Sequence, residues 1–152
     1  MQNETNFYKP VVLIVDDVQE NLQVLYKMLA EEGYAFSIAT NGAETFEIIN
    51  IKKPDLILLD VMLPDTTGYE ICEKLKSDNN FKDIPIIFLT AKTDNEDKIK
   101  AFTIGGADFI SKPFEEIEVV TKVSTQIKLK RVKELAEKYS DSDEELKFWC
   151  EK

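Results

Sequence analysis

Apolar residues in this chain fall into short unbroken runs separated by amphipathic stretches. Val11-Val12-Leu13-Ile14-Val15, Leu56-Ile57-Leu58-Leu59 and Ile86-Ile87-Phe88-Leu89 are nearly all apolar, as strands covered by helices on both faces must be. Tyr34–Ala39 and the short Asp108–Ser111 read as two further strands. Between them the apolar period changes to that of helices. The first helix is predicted over Val18–Glu32, with Leu22, Leu25, Met28 and Leu29 as its inward stripe and Gly33 as its stop. Asn41-Gly42 marks a turn, and a second helix follows over Ala43–Ile51 with Phe46, Ile48 and Ile49 inward. Helices over Tyr69–Ser77 and Asn95–Ile104 come next, and a last one starts near Phe114 with Ile117, Val120, Val123 and Ile127 facing the sheet.

Five strand–helix repeats with right-handed crossovers predict an α/β fold with a doubly wound, five-stranded parallel sheet. The chain's chemistry sits at the strand ends. The first apolar run closes on Asp16-Asp17, the third strand on Asp60, the fourth on Thr90 and the fifth on Lys112-Pro113. In open parallel sheets ligands bind outside the carboxyl ends of the strands, at the switch point. Placing the two acid-bearing strands side by side there gives the flavodoxin-like order 2-1-3-4-5, and an extended C-terminal helix follows the sheet.

Three carboxylates, one amine and one hydroxyl at one sheet edge point to a divalent cation and a phosphoryl group. Clustered carboxylates repel, and a hard cation with oxygen ligands relieves that repulsion. Asp60 is then either a third ligand or a nucleophile able to form an aspartyl-phosphate. Lys112 supplies a point cation for phosphoryl oxygens, and Thr90 a hydrogen-bond donor.

Composition narrows this further. The 152 residues suffice for one domain with a core, and 43% hydrophobic with 32% charged residues is ordinary for a soluble globular protein. There is no histidine, which removes a Ser-His-Asp triad, histidine-ligated zinc and a phosphohistidine donor. A net charge of −10 argues against nonspecific binding to nucleic acid or anionic membrane. Cys72 and Cys150 form no CxxC pair and read as reduced cytosolic thiols. The polar stretch Met1–Pro10 shows no signal-peptide pattern, and no apolar run approaches the roughly 20 residues of a membrane helix.

Val15-Asp16-Asp17, Leu59-Asp60-Val61-Met62-Leu63-Pro64 with Gly68, Leu89-Thr90-Ala91 and Lys112-Pro113-Phe114 together resemble the receiver domain of two-component response regulators, in order and spacing, over about Pro10 to Ile127. The resemblance implies that Asp60 is the phosphoacceptor. It implies that Asp17 and Asp60 bind Mg²⁺ directly, that Asp16 helps through water and that the Met62 carbonyl is a further ligand. Thr90 and Lys112 would contact the phosphoryl group, and Thr90 with Phe109 would form the switch. Met62 and Lys92 match variable positions that tune dephosphorylation. The division expected is an N-terminal tail at 1–9, a receiver domain at 10–128 and a helical extension or linker at 129–152.

The expected function is a cytoplasmic phosphoacceptor switch that catalyses only its own phosphorylation and dephosphorylation. Its expected partner is a histidine kinase or phosphotransfer protein, with no direct contact to nucleic acid or membrane. Two other readings compete: a degenerate receiver that binds partners without phosphorylation, and a Mg²⁺-dependent phosphohydrolase. The second would want an acid two residues after the nucleophile, where Met62 stands. Beyond Ile127, Val132, Tyr139 and Leu146 are seven apart, as are Leu135, Ser142 and Trp149. That seam predicts a homodimer contact or a linker helix cut from a longer protein; Ser142–Glu145 also resembles a capping box that starts a separate helix. Cognate kinase, output partner and pathway are not legible in the sequence.

Overall fold

A computed structural model describes residues 9–91 and 95–142, the side chains of 140–142 excepted. Strands β1 (Val11–Val15), β2 (Ala35–Ala39), β3 (Leu56–Asp60), β4 (Ile86–Thr90) and β5 (Asp108–Ser111) alternate with helices α1 (Gln19–Leu29), α2 (Gly42–Ile51), α3 (Gly68–Lys76), α4 (Asn95–Thr103) and α5 (Glu116–Ser142). The strands form one parallel sheet in the predicted order β2-β1-β3-β4-β5.

The all-apolar runs have a direct cause. Successive side chains of a strand point to opposite faces, so both faces must be dry. Val12, Ile14, Leu56, Leu58, Ile87 and Leu89 pack under α1 and α5; Leu13, Val15, Ile57, Leu59, Ile86 and Phe88 pack under α2, α3 and α4. Each strand thus feeds two cores that share one backbone layer.

Local chemistry sets the helix ends. Asn41, read from sequence as part of a turn, is the N-cap of α2: its side chain accepts from the Glu44 amide at 2.8 Å, and the Glu44 carboxylate accepts from the Thr40 amide at 2.7 Å. Thr67 caps α3 through the Glu70 amide. A single 3-10 turn, Ala30–Glu32, follows α1, and Gly33 ends it with φ 87°, a backbone conformation that favours glycine.

One expected core residue is misplaced. Ile117 is 75% exposed, while Val119, Val123 and Ile127 form the buried stripe, with Val120 half-buried beside them. The helix begins at Glu116 rather than Phe114, and Ile117 lies two positions from Val119, about 200° around the helix axis and so on the outer face.

α5 runs unbroken for 27 residues, past the last strand-packing position, Ile127. Lys130 pairs with Asp55 at 3.3 Å and with Glu134, and Lys133 reaches Asp83 at 3.6 Å. The other oxygen of Asp55 accepts the Val11 amide at 2.7 Å, so one carboxylate ties α5 to the first residue of β1. Beyond this clamp Val132, Leu135 and Tyr139 are exposed. The remainder of the heptad seam, the capping-box candidate at 142–145 and Lys92 lie outside the described residues. Among the described residues no helix is long and apolar enough to cross a membrane.

Leu58 and Ile117 separate burial from mere hydrophobicity. Leu58→Ala should cost about 3 kcal/mol in urea unfolding. Ile117→Ala should stay within about 0.5 kcal/mol of the parent protein. A comparable loss at Ile117 would place that side chain in the core after all.

Candidate functional site

The parallel register brings the polar strand ends level. Asp60 is paired with Leu89, Val15 with Leu59, and Thr90 with Ser111, so Asp16, Asp60, Thr90 and Lys112 leave the sheet at one edge. The Lys112 amide donates to the Thr90 carbonyl at 2.8 Å and the Val61 amide to the Leu89 carbonyl at 3.1 Å, extending the ladder one step beyond the strands. The Lys112–Pro113 peptide bond is cis. Phe109, one residue into β5, is half-buried; its ring meets Phe102 edge-on at 6.0 Å, with the Lys122 ammonium 4.7 Å and the Lys98 ammonium 5.1 Å from its centre.

Three carboxylates converge as expected: Asp16, Asp17 and Asp60 each offer an oxygen within 4.8 Å of the others'. Their exposures differ sharply. Asp16 is fully buried, Asp60 is 4% exposed, and Asp17 is exposed to solvent. Asp16 is held from three sides: its Oδ1 accepts the Val18 amide at 2.9 Å, and its Oδ2 accepts Asn21 Nδ2 at 3.1 Å and faces Lys112 Nζ at 3.7 Å. Asp60 takes the Met62 amide on Oδ1 at 3.2 Å and Lys112 Nζ on Oδ2 at 3.1 Å. Met62 itself is 69% exposed at the rim of the cleft above the carboxylates. Lys112 therefore stands between the two buried acids.

Burial, and after it the negative charge of Asp16, push the Asp60 carboxyl above its ordinary range; Lys112 and the Met62 amide oppose that shift without cancelling it. The cluster is short of positive charge. Oxygen donors that are hard, crowded and under-neutralised suit a cation such as Mg²⁺, and the residues present fit it.

Backbone proximity frames the site. A Cβ on Gly68 would lie 2.4 Å from the Asp60 carbonyl oxygen, so only glycine lets α3 start this close to β3. The Gly68 amide donates to the Val61 carbonyl at 2.7 Å and closes the loop that carries Met62. Above the carboxylates an open cleft of about 660 Å³ is lined by Asp17, Asp60, Thr90 and Lys112, and also by Tyr69 and Lys100. Tyr69, Lys100 and Asn21 went unnoticed in the sequence. Asn21 lies in the first turn of α1, and its side-chain amide donates back to Asp16, five residues earlier.

The chain's likenesses agree with this arrangement. The model of the response regulator receiver domain matches residues 12–124. Over 117 residues the chain is 40% identical to the phosphate regulon transcriptional regulatory protein PhoB of Pseudomonas aeruginosa, covering 77% of this chain and 51% of that protein. Over 148 residues it is 36% identical to hybrid signal transduction histidine kinase D of Dictyostelium discoideum, covering 95% of this chain and 9% of that one. The crystal structure of a chain described as a response regulator from Chloroflexus aurantiacus superposes with a TM-score of 0.76 at 34% identity, over 79% of this chain and 98% of the other. The chain spans about half the length, or less, of these curated relatives.

Because the folded-state value of Asp60 is raised, its ionised form costs the fold stability. That cost is present above the raised value and fades as pH falls through it towards the ordinary carboxylate range. In metal-free buffer Asp60→Asn should therefore raise Tm at pH 7 by about 2–4 °C, with the gap closing at acidic pH. Thermal melts across pH check this; a variant less stable at pH 7 would mean that attraction to Lys112 outweighs burial and Asp16.

Proposed function

The chain belongs to the response regulator receiver domain family, and from that premise we propose that it is a phosphoacceptor signalling switch, phosphorylated on Asp60 by a histidine kinase or phosphotransfer protein with Mg²⁺ present. One observation carries the reading: a nearly buried Asp60 with a lysine ammonium at 3.1 Å and two further carboxylates within reach. In this reading residues 10–128 form the receiver, 129–152 its helical extension, and the setting is the cytoplasm.

Asp17, Asp60 and the Met62 carbonyl would hold Mg²⁺, and Asp16 would reach it through water. When bound, the ion neutralises charge on the phosphoryl group being transferred. An Asp60 carboxylate oxygen attacks phosphorus while the bond to the donor imidazole breaks, and the released imidazole keeps that electron pair. Lys112, already oriented by Asp60 and Asp16, pairs with phosphoryl oxygens, and Thr90 donates a hydrogen bond to them. The residue two after Asp60 is Met62, whose side chain has no proton to exchange; this favours a switch over a phosphohydrolase.

Phosphorylation is then read by population shift. The space between Thr90 and Phe109 amounts to about 10 Å³, scarcely one water. A phenyl ring enters it only if Thr90 and its loop first move towards the phosphoryl group. That coupling would change the surface formed by α4, β5 and α5, where Ile99 and Phe102 are exposed. The exposed Leu129, Val132, Leu135 and Tyr139 on α5 support a homodimer through the extension.

Intact mass after incubation with a small-molecule phosphodonor tests the core of the reading. A single Mg²⁺-dependent adduct is expected in the wild type and none in Asp60→Asn, with Lys112→Ala slowed about 100-fold or more. No adduct on folded wild type would favour a receiver that signals by binding alone. Phe109→Ala should abolish phosphorylation-dependent changes while leaving the adduct; intact responses would remove the switch role. Hydrodynamic size with and without phosphorylation decides the dimer, and an unchanged monomer ends it.

A further inference from the structure

The loop between β3 and α3 carries Met62, yet side-chain packing does little to hold that residue, whose side chain is mostly exposed. The loop is instead shaped by its own backbone. Gly68 bonds back to Val61 at 2.7 Å, Leu63 to Thr66 at 3.2 Å, and Met62 faces Thr67 across an antiparallel bridge. Asp65 sits at the tip of this closed turn.

Asp65 reaches across to a different element. Its Oδ1 accepts the Gly42 amide at 2.8 Å and its Oδ2 the Ala43 amide at 3.1 Å, over 23 and 22 residues of sequence. Those amides belong to the first turn of α2, whose donors have no partner within the helix. The Asn41 side chain already serves the Glu44 amide and its carbonyl the Thr45 amide, so Asp65 completes the set. The contact is also sterically selected. A Cβ on Gly42 would stand 2.5 Å from Thr66 Cγ2 and 3.3 Å from both Asp65 carboxylate oxygens. Glycine at 42 and aspartate at 65 are thus two halves of one joint between α2 and the Met62 loop.

We propose that Asp65 is a positioning residue: by bracing the tip of the β3–α3 loop against α2, it fixes the Met62 peptide beside Asp60. The Met62 amide is bound to Asp60 Oδ1, and the Leu63 amide, which shares a peptide with the Met62 carbonyl, is bound to Thr66 inside the turn; Asp65 ties that turn as a whole to α2. Removing the brace leaves the carboxylates intact but lets the Met62 carbonyl wander. The consequence for Mg²⁺ rests on the metal reading given under Proposed function; the brace itself does not.

Three variants test it: Asp65→Ala, Gly42→Ala, which prises the joint apart from the other side, and Asp65→Asn, which keeps one side-chain oxygen acceptor. Two readouts are taken on folded protein: Mg²⁺ affinity by calorimetry, and metal-free hydrogen exchange at the Met62 and Gly68 amides. Asp65→Ala and Gly42→Ala are each expected to weaken Mg²⁺ binding about tenfold and to speed exchange at both amides, with Asp65→Asn in between. Equal Mg²⁺ affinity in wild type and Asp65→Ala would overturn the proposal, even if Tm fell, since Asp65 would then merely stabilise α2. If the wild type itself binds no Mg²⁺, the metal reading fails separately; exchange then decides, and unchanged protection at Met62 and Gly68 overturns the brace.

Discussion

Two acids buried side by side govern this structure. Asp16 and Asp60 lie on neighbouring strands, almost without solvent, and like charges in such a place repel. The surroundings answer that repulsion piece by piece. The Val18 and Met62 amides, the Asn21 side chain and Lys112 are all aimed at these two carboxylates. None of these donors comes from the same element as its acceptor's strand. The ends of β1, β3 and β5 must therefore stay level, and the first turn of α1 must stay beside them, or a buried charge loses its partner. A site that remains short of positive charge after all this is one prepared to accept a cation.

How much of this was legible in the sequence depended on range. The strands were legible because burial on both faces forces an uninterrupted apolar run, and their order followed from putting the acid-bearing ends together. Asp60 was legible because it ends such a run, and Lys112 because it follows the short strand that closes on Ser111. Ile117 misled because an apolar stripe can be extended backwards by three residues or by four: three from Val120 gives Ile117, four from Val123 gives Val119, and the second is the buried one. The same indeterminacy hid Val119, a buried residue two positions on. Asp65 was not legible at all. Its partners are Gly42 and Ala43, and nothing local distinguishes a loop aspartate that caps a distant helix from one that faces water.

Glycine has two unlike uses here, and the difference explains why one type appears at such separate places. Gly33 is needed for its backbone angle: φ is 87° and nothing stands within 4 Å of where its Cβ would be. Gly68 and Gly42 are needed for room. At Gly68 the obstacle is the backbone of the acidic residue itself, which cannot retreat without carrying the carboxylate along. The site's geometry is set in part by an atom that is missing from a neighbouring residue.

The ion pairs of Lys130 with Asp55 and of Lys133 with Asp83 fasten α5 at the base of the sheet, and the helix continues past them as an arm. The helix is continuous through that point, and from Lys130 to Ser142 it rises about 18 Å at roughly 1.5 Å per residue. Displacement at the far end of a rigid rod is the tilt angle multiplied by its length. Any tilt of α5 at this clamp would therefore be magnified along the arm and felt at the first residue of β1, which hangs from the same carboxylate.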